Sequence, residues 1–344
     1  MDLSPALDWS PPDGWQMLTV IDSHTGGEPF RLVVEGLPAI PGDTVLKRRR
    51  YATENLDHLR KATIWEPRGH ADMYGGWLGD PVDPDSDLSV LFLHNEGFST
   101  MCGHGIIALT KIVLELGILP MDGDETSIGI DTPAGQVRAT ATIREGVVAR
   151  VRFLNVPSFA SSLDATVNVP EIGAVRYDLA FGGGFYAYVE ASSLGQDLDD
   201  TASLVATGRK IKRAVMEATS IIHPEDNDLG FLYGVIFTGP ALKSTNHSRN
   251  VCVFADGEVD RSPTGTGVSG RLALLYARGD IGLDNEVTVE SITGSEFVGR
   301  IVKEATVQGV PAIIPEVAGE AHILGRSEYW FDPSDTIGKG FTLQ

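Results

Sequence analysis

Met101-Cys102-Gly103-His104-Gly105 and Pro263-Thr264-Gly265-Thr266-Gly267 are the same local arrangement written twice. The first leads into the apolar run Ile106 to Leu116 and stops at Gly117; the second leads into Val268 to Arg278 and stops at Gly279. A Gly-rich turn opens each apolar helix, so bare backbone N–H groups and the positive end of the helix dipole face whatever lies ahead. Cys102 and Thr264 hold equivalent positions. One copy offers a thiol there, the other only a hydroxyl.

The repeat reaches beyond the helices. Gly135, in Asp131-Thr132-Pro133-Ala134-Gly135, answers Gly294 in Glu290-Ser291-Ile292-Thr293-Gly294, and Gly27 leading to Val34-Glu35 answers Gly182 leading to Val189-Glu190. The separations are 162 (264 − 102), 159 (294 − 135) and 155 (182 − 27). Three landmarks in one order at a nearly constant offset point to duplication, against the competing reading of chance glycine pairing.

The two helices are apolar almost all round, through Ile106, Ile107, Leu109, Ile112, Val113, Leu114 and Leu116 in one and Val268, Leu272, Leu274, Leu275 and Tyr276 in the other. Such helices are buried. Strands are expected at Leu18 to Ile21 and Phe30 to Val34 around the turn Thr25-Gly26-Gly27-Glu28-Pro29, and at Val137 to Ile143 and Val147 to Phe153 around Arg144-Glu145-Gly146. Phe231 to Phe237 and Val251 to Phe254 also read as strands, while Glu54 to Thr63 and Asp199 to Thr219 read as helices. Ser158 to Gly173 has no strong period and reads as a linker. Buried helices among so many strands give an α+β class, each domain a sheet curled around a central helix, with the active site in the seam between domains.

At 344 residues and 42% apolar content the chain can bury two cores. Its net charge of −20, with no basic cluster beyond Lys47 to Arg50, repels a phosphate backbone and argues against nucleic-acid binding. No apolar run approaches the ~20 residues of a membrane span, and Met1-Asp2-Leu3-Ser4-Pro5 lacks the charged start of a secretory signal, so a cytoplasmic location is expected. Two cysteines, Cys102 and Cys252, make no disulfide framework and no metal clamp.

A cysteine at a helix N-terminus has its thiolate stabilised by the dipole, so Cys102 is expected to ionise below the free value of ~8.5 and act as base or nucleophile. Cys252, inside Val251-Cys252-Val253-Phe254, reads as core filler. The backbone N–H groups of Gly103, His104, Gly265 and Thr266 would converge on one gap and hold a small carboxylate, with Arg68 and Arg261 as the alternative anchors. Asp260 is either the acceptor for a substrate ammonium or a turn aspartate ahead of Arg261-Ser262-Pro263. His104 is either a proton carrier or chiefly a backbone donor. His24, Glu28, His70 and His223 match no metal-ligand spacing.

Together with Asp22-Ser23-His24-Thr25-Gly26-Gly27-Glu28-Pro29 and Glu66-Pro67-Arg68-Gly69-His70, these motifs resemble the proline racemase family over nearly the whole chain. The resemblance implies the diaminopimelate epimerase type of fold, with two pseudo-symmetric domains and no cofactor. It also implies that Ile314 to Gln344 returns to the first domain. The units are then residues 14–157 plus 314–344, carrying Cys102, and 174–313, carrying Thr264, with 158–173 between them. Racemases and 4-hydroxyproline epimerases of the family use one cysteine on each face of Cα. Thr264 departs from that pattern and is similar to the members that dehydrate trans-3-hydroxy-L-proline.

The resemblance assigns Cys102 as base, Asp260 as partner of the ring nitrogen, and Tyr74 and Phe254 as pocket walls, with Cys102 or His104 returning the proton to the leaving hydroxide. Chemistry supports the same reading independently, because inversion needs an acid opposite the base and a threonine hydroxyl is a poor one near pH 7. The expected partners are a hydroxyproline-type imino acid and a second copy of the chain in a homodimer. The alternatives are a 4-hydroxyproline epimerase or proline racemase working through water or His104, and a non-catalytic binder of proline analogues.

Overall fold

The computed structural model describes residues 1–343. Strands of the first half are β1 Gln16–Thr25, β2 Glu28–Glu35, β3 Gly75–Gly79, β4 Leu88–Leu93, β5 Glu125–Thr132, β6 Gly135–Arg144 and β7 Val147–Leu154. They are followed by β8 Phe159–Val169, β9 Gly173–Phe181, β10 Phe185–Glu190, β11 Leu232–Gly239, β12 Ser248–Phe254, β13 Glu258–Val259, β14 Val287–Glu290, β15 Glu296–Val307, β16 Val310–Gly319 and β17 Ala321–Phe331. The helices are α1 Ser4–Leu7, α2 Val45–Asn55, α3 Asp57–Ile64, α4 Gly103–Glu115, α5 Thr201–Ala218 and α6 Gly265–Arg278.

Strand pairing displays the duplication directly. The hydrogen-bonded order is β17-β1-β2-β3-β4-β5-β6-β7 and then β16-β15-β14-β12-β11-β10-β9-β8, with β13 added to β12. Each half contains two parallel pairs at corresponding places, β2–β3 and β4–β5 in one and β10–β11 and β12–β14 in the other. Parallel neighbours need long crossovers. Helices α2 and α3 fill the first, α5 its counterpart, and α4 and α6 the second of each half. The halves join where β7 pairs with β16, Phe153 opposite Val317.

Helix α4 packs against β1, β2, β6, β7 and β17, strands from both ends of its half of the sheet, so the sheet wraps around it. Every residue of α4 except Lys111 and Glu115 is buried. Lys111 pairs with Glu115 at 2.6 Å and also donates to the Val148 carbonyl at 2.7 Å. Each fully buried Ile or Leu there contributes about 1.5–3 kcal/mol relative to exposure, which keeps a helix fixed although its first turn is glycine-rich. Helix α6 lies likewise against β8, β9, β10, β15 and β16.

Residues 158–173, expected as a linker, are instead β8 and the turn into β9. The β8–β9 register slips between Ala160 and Ser162 and again between Ser162 and Ala165, and Asp164 has a left-handed φ of 56°. Each slip resets the alternation of faces, which erases the period-2 pattern. The helix expected over 54–63 begins earlier, at Val45, where Thr44 accepts from the Lys47 N–H at 3.1 Å, and it breaks at Leu56. Gly27 has φ 92°, and the left-handed glycine of the second hairpin is Gly183, at φ 105°, rather than Gly182. The C-terminal strand β17 returns to pair with β1, and Arg68 ties this return down by donating to the carbonyls of Gly338 and Trp330. No helix among the described residues is long and apolar enough to cross a membrane.

Candidate active site

Helices α4 and α6 meet N-terminus to N-terminus, and Cys102 and Thr264 are their N-caps. Cys102 is extended, at φ −147° and ψ 113°, and its sulfur accepts from the Gly105 N–H at 3.2 Å. Thr264 has φ 66°, a strained conformation for a β-branched residue. It makes no side-chain cap, and its buried Oγ1, near enough to the Asp260 carboxylate and the Cys252 thiol to pull both down, makes no hydrogen bond of normal geometry among the described residues. The two copies therefore agree in position and differ in conformation. Among the described residues the N–H groups of Gly265, Thr266 and Gly267 in α6, and of Gly103 and His104 in α4, have no hydrogen-bond acceptor.

The nine residues expected to bind or transform substrate come together in one narrow pocket. Cys102, Gly103, His104 and Tyr74 line it from the first half; Phe254, Asp260, Thr264, Gly265 and Thr266 line it from the second. Arg68 and Arg261, the alternative anion anchors, are engaged elsewhere, Arg261 with Asp72 at 2.8 Å and with the Val259 carbonyl. Cys252 is fully buried. His223 packs among Phe159, Phe181 and Phe185, while His24 lies against His322.

Three more residues line the pocket: Met101, which opens the first Gly-rich motif, and Tyr186 and Tyr233, to which no local sequence pattern points. Tyr186 and Thr266 hydroxyls are 2.7 Å apart, and Tyr233 stacks obliquely on Phe254 at 5.4 Å. Glu28, weighed above only as a metal ligand, joins the site in another way. At the hairpin tip it is fully buried, its Oε2 accepts from the Arg261 N–H at 2.8 Å, and its Oε1 has no partner among the described residues. Thr25 donates to the His104 carbonyl at 2.9 Å, and Thr293 donates to the Gly26 carbonyl at 3.0 Å. The Thr25–Glu28 tip thus fastens the start of α4 to the segment bearing Asp260 and Thr264.

Electrostatics correct one expectation. Burial pushes the Cys102 thiol well above its ordinary range, overriding the Gly105 N–H and the Tyr74 hydroxyl that pull it down, and the nearby Asp260 and Glu28 push it further. Helix-terminus stabilisation is real but smaller than the cost of an unpaired charge in a closed cleft. Burial likewise raises Asp260 to about 6, against the Ser262 N–H that its carboxylate accepts at 2.7 Å. Glu28 is raised well above the carboxylate range by burial and then by Asp260. Burial lowers His104 to about 3, so its ring, with Nδ1 3.1 Å from the Cys102 sulfur, is neutral imidazole at neutral pH. It is not an imidazolium acid there.

A cleft with one thiol, free N–H groups from two helix ends and one buried carboxylate is suited to holding a small zwitterion, its carboxylate on the N–H groups and its cation on Asp260. Known proteins agree with that chemistry. The trans-3-hydroxy-L-proline dehydratase of Colwellia psychrerythraea is 45% identical over 98% of this chain and 96% of its own. The 3-hydroxyproline 2-epimerase of Burkholderia multivorans is 44% identical over 95% of this chain and 98% of its own. A hydroxyproline epimerase from Agrobacterium vitis, solved with bound trans-4-hydroxy-L-proline, superposes with a TM-score of 0.90 at 31% identity, covering 95% of this chain and 96% of that one. The sequence pattern of the family described as proline racemase matches residues 20–342, and the chain belongs to that family.

Proposed function

We propose that this protein is a hydro-lyase that converts trans-3-hydroxy-L-proline to Δ1-pyrroline-2-carboxylate. The observation that carries the reading is the unequal pair of helix caps, a thiol at Cys102 and only a hydroxyl at Thr264. In the trans isomer the hydroxyl is opposite the carboxylate, so the Cα hydrogen and the leaving group share one ring face. One base on that face is enough.

In this mechanism the substrate carboxylate sits on the free N–H groups of Gly103, His104, Gly265 and Thr266, and its ring ammonium faces Asp260. Burial is the main cause that raises the Cys102 thiol, and the ring cation offsets the smaller part due to Asp260, so the substrate helps to make the thiolate. Cys102 removes the Cα proton while the N–H groups hold the developing enediolate. Loss of the 3-hydroxyl leaves an enamine, which tautomerises to the cyclic imine. Thr264 supplies no acid on the opposite face, which disfavours inversion. Dehydratase names at 43–45% identity over nearly full length support the same chemistry.

The Burkholderia multivorans relative supports a second reading, epimerisation at Cα. Incubation with 3- and 4-hydroxyproline isomers, followed by NMR, separates loss of water from inversion. The proposal further includes division into two repeat units near the boundaries given above, with β8 and the whole of β16 assigned to the second, a homodimer, testable by light scattering, and a cytoplasmic location. Two free thiols suit a reducing compartment.

A further inference from the structure

Tyr74 and Tyr233 are counterparts in the repeat, 159 apart (233 − 74), and each is followed by a glycine that pairs across to β4 or β12, Gly75 to Leu93 and Gly234 to Phe254. Their hydroxyls meet in the seam, Tyr233 donating to the Tyr74 oxygen at 3.4 Å. Ser99 breaks this symmetry. Its hydroxyl lies 2.7 Å from that of Tyr74, whereas the counterpart position, 162 further on (261 − 99), is Arg261, whose guanidinium pairs with Asp72.

Either hydroxyl can donate in the Ser99–Tyr74 pair; with Ser99 as donor beside Tyr233, the Tyr74 oxygen has its lone pairs occupied and its own hydrogen is left for the side of Cys102, whose sulfur it reaches. The same two donors would hold negative charge on that oxygen. Burial raises the Tyr74 phenol well above its ordinary range, so it keeps its proton, while the bonds from Ser99 and Tyr233 act the other way. Tyr74 is the one lining residue of the Cys102 half with an O–H, and its neighbour His104, 4.7 Å from it ring to ring, is neutral imidazole.

Resting on the dehydration proposed above, we infer that Tyr74 is a further catalytic residue, the acid that protonates the departing 3-hydroxyl group on the Cys102 face. The Cα–H bond breaks and its proton goes to the Cys102 thiolate. The C3–O bond breaks, the electron pair from Cα forms the C=C bond, and the oxygen leaves as water with the Tyr74 proton. The Cys102 thiol then returns a proton to the Tyr74 phenolate, restoring both groups with no change of oxidation state.

The test compares two leaving groups. Tyr74→Phe keeps the ring in its place against His104 and Phe254. It is expected to slow water loss from trans-3-hydroxy-L-proline about 100-fold or more in kcat, and fluoride loss from trans-3-fluoro-L-proline by less than about 5-fold, since fluoride departs without a strong acid. Ser99→Ala, which keeps the phenol and removes one of its supports, is expected to slow water loss about 10-fold and spare fluoride loss, and it serves if the Phe variant fails to fold. Equal slowing of both substrates, or unchanged water loss, overturns the role of Tyr74. A wild-type enzyme that eliminates neither water nor fluoride overturns the dehydration itself, a result distinct from failure of the tyrosine alone.

Discussion

Gly103 and Gly265 face each other so closely that a β-carbon on Gly103 would lie 2.6 Å from the Gly265 Cα, and one on Gly265 would lie 2.7 Å from the Gly103 Cα. Both obstacles are backbone, so neither can swing aside. This contact brings the free N–H groups of two helices into one gap.

Gly265→Ala is therefore expected to push the helix ends apart. Affinity for the planar proline mimic pyrrole-2-carboxylate should fall at least about 10-fold although no functional side chain is lost. Calorimetric titration, with circular dichroism to show the folded state, measures this; unchanged affinity in a folded variant would mean that the carboxylate is held elsewhere.

Cys102→Ser should abolish dehydration, by about 1000-fold or more, because a serine hydroxyl in this buried cleft is un-ionised near neutral pH. Its fold and its binding of pyrrole-2-carboxylate should persist. Near wild-type turnover by the serine variant would remove Cys102 as the base.

Asp260 carries a pH signature. Its folded value is raised to about 6, so kcat/KM should fall as pH drops through that value and the acceptor for the ring ammonium is neutralised. A carboxylate raised by folding penalises the folded state once the unfolded chain ionises, so the penalty appears as pH rises from about 4 to about 6 and persists above. Asp260→Asn should thus gain roughly 3 kcal/mol of stability at pH 7, nothing near pH 3, and lose activity at every pH. Urea melts at the two pH values decide it, a pH-independent difference being the contrary outcome.

Much of this was legible in the chain because the decisive features are local. Gly-rich turns opening apolar runs located α4 and α6, and glycine punctuation located the β1–β2 and β6–β7 hairpins. β8 was hidden because its two register slips destroy the alternation from which strands are read. Tyr186 and Tyr233 carry no local pattern, and the link from Glu28 to Arg261 is invisible in the chain, because all three approach the cleft through tertiary packing. The Tyr74–Tyr233 offset matches that of Gly135 and Gly294, a signal that extending the repeat comparison to aromatic residues would have caught. The Cys102 shift runs opposite to the sequence expectation because helix-end stabilisation is local, whereas the desolvation that outweighs it comes from the whole closed seam.

Thr264→Cys places an ionisable group at the cap of α6, facing Cys102, and removes a β-branched side chain from a position with φ 66°. Inversion of proline or 4-hydroxyproline should become measurable by polarimetry, while dehydration of trans-3-hydroxy-L-proline persists within about 10-fold. A variant that gains no inversion would show that the missing second acid is not what limits the wild type.

The central claim, one-face elimination by Cys102, is tested most directly by following the wild-type protein with trans- and cis-3-hydroxy-L-proline side by side by proton NMR. The trans isomer should lose water to Δ1-pyrroline-2-carboxylate, and the cis isomer, whose hydrogen and hydroxyl lie on opposite faces, should react at least about 100-fold more slowly. Comparable dehydration of both isomers, or inversion at Cα with the hydroxyl retained, would contradict it.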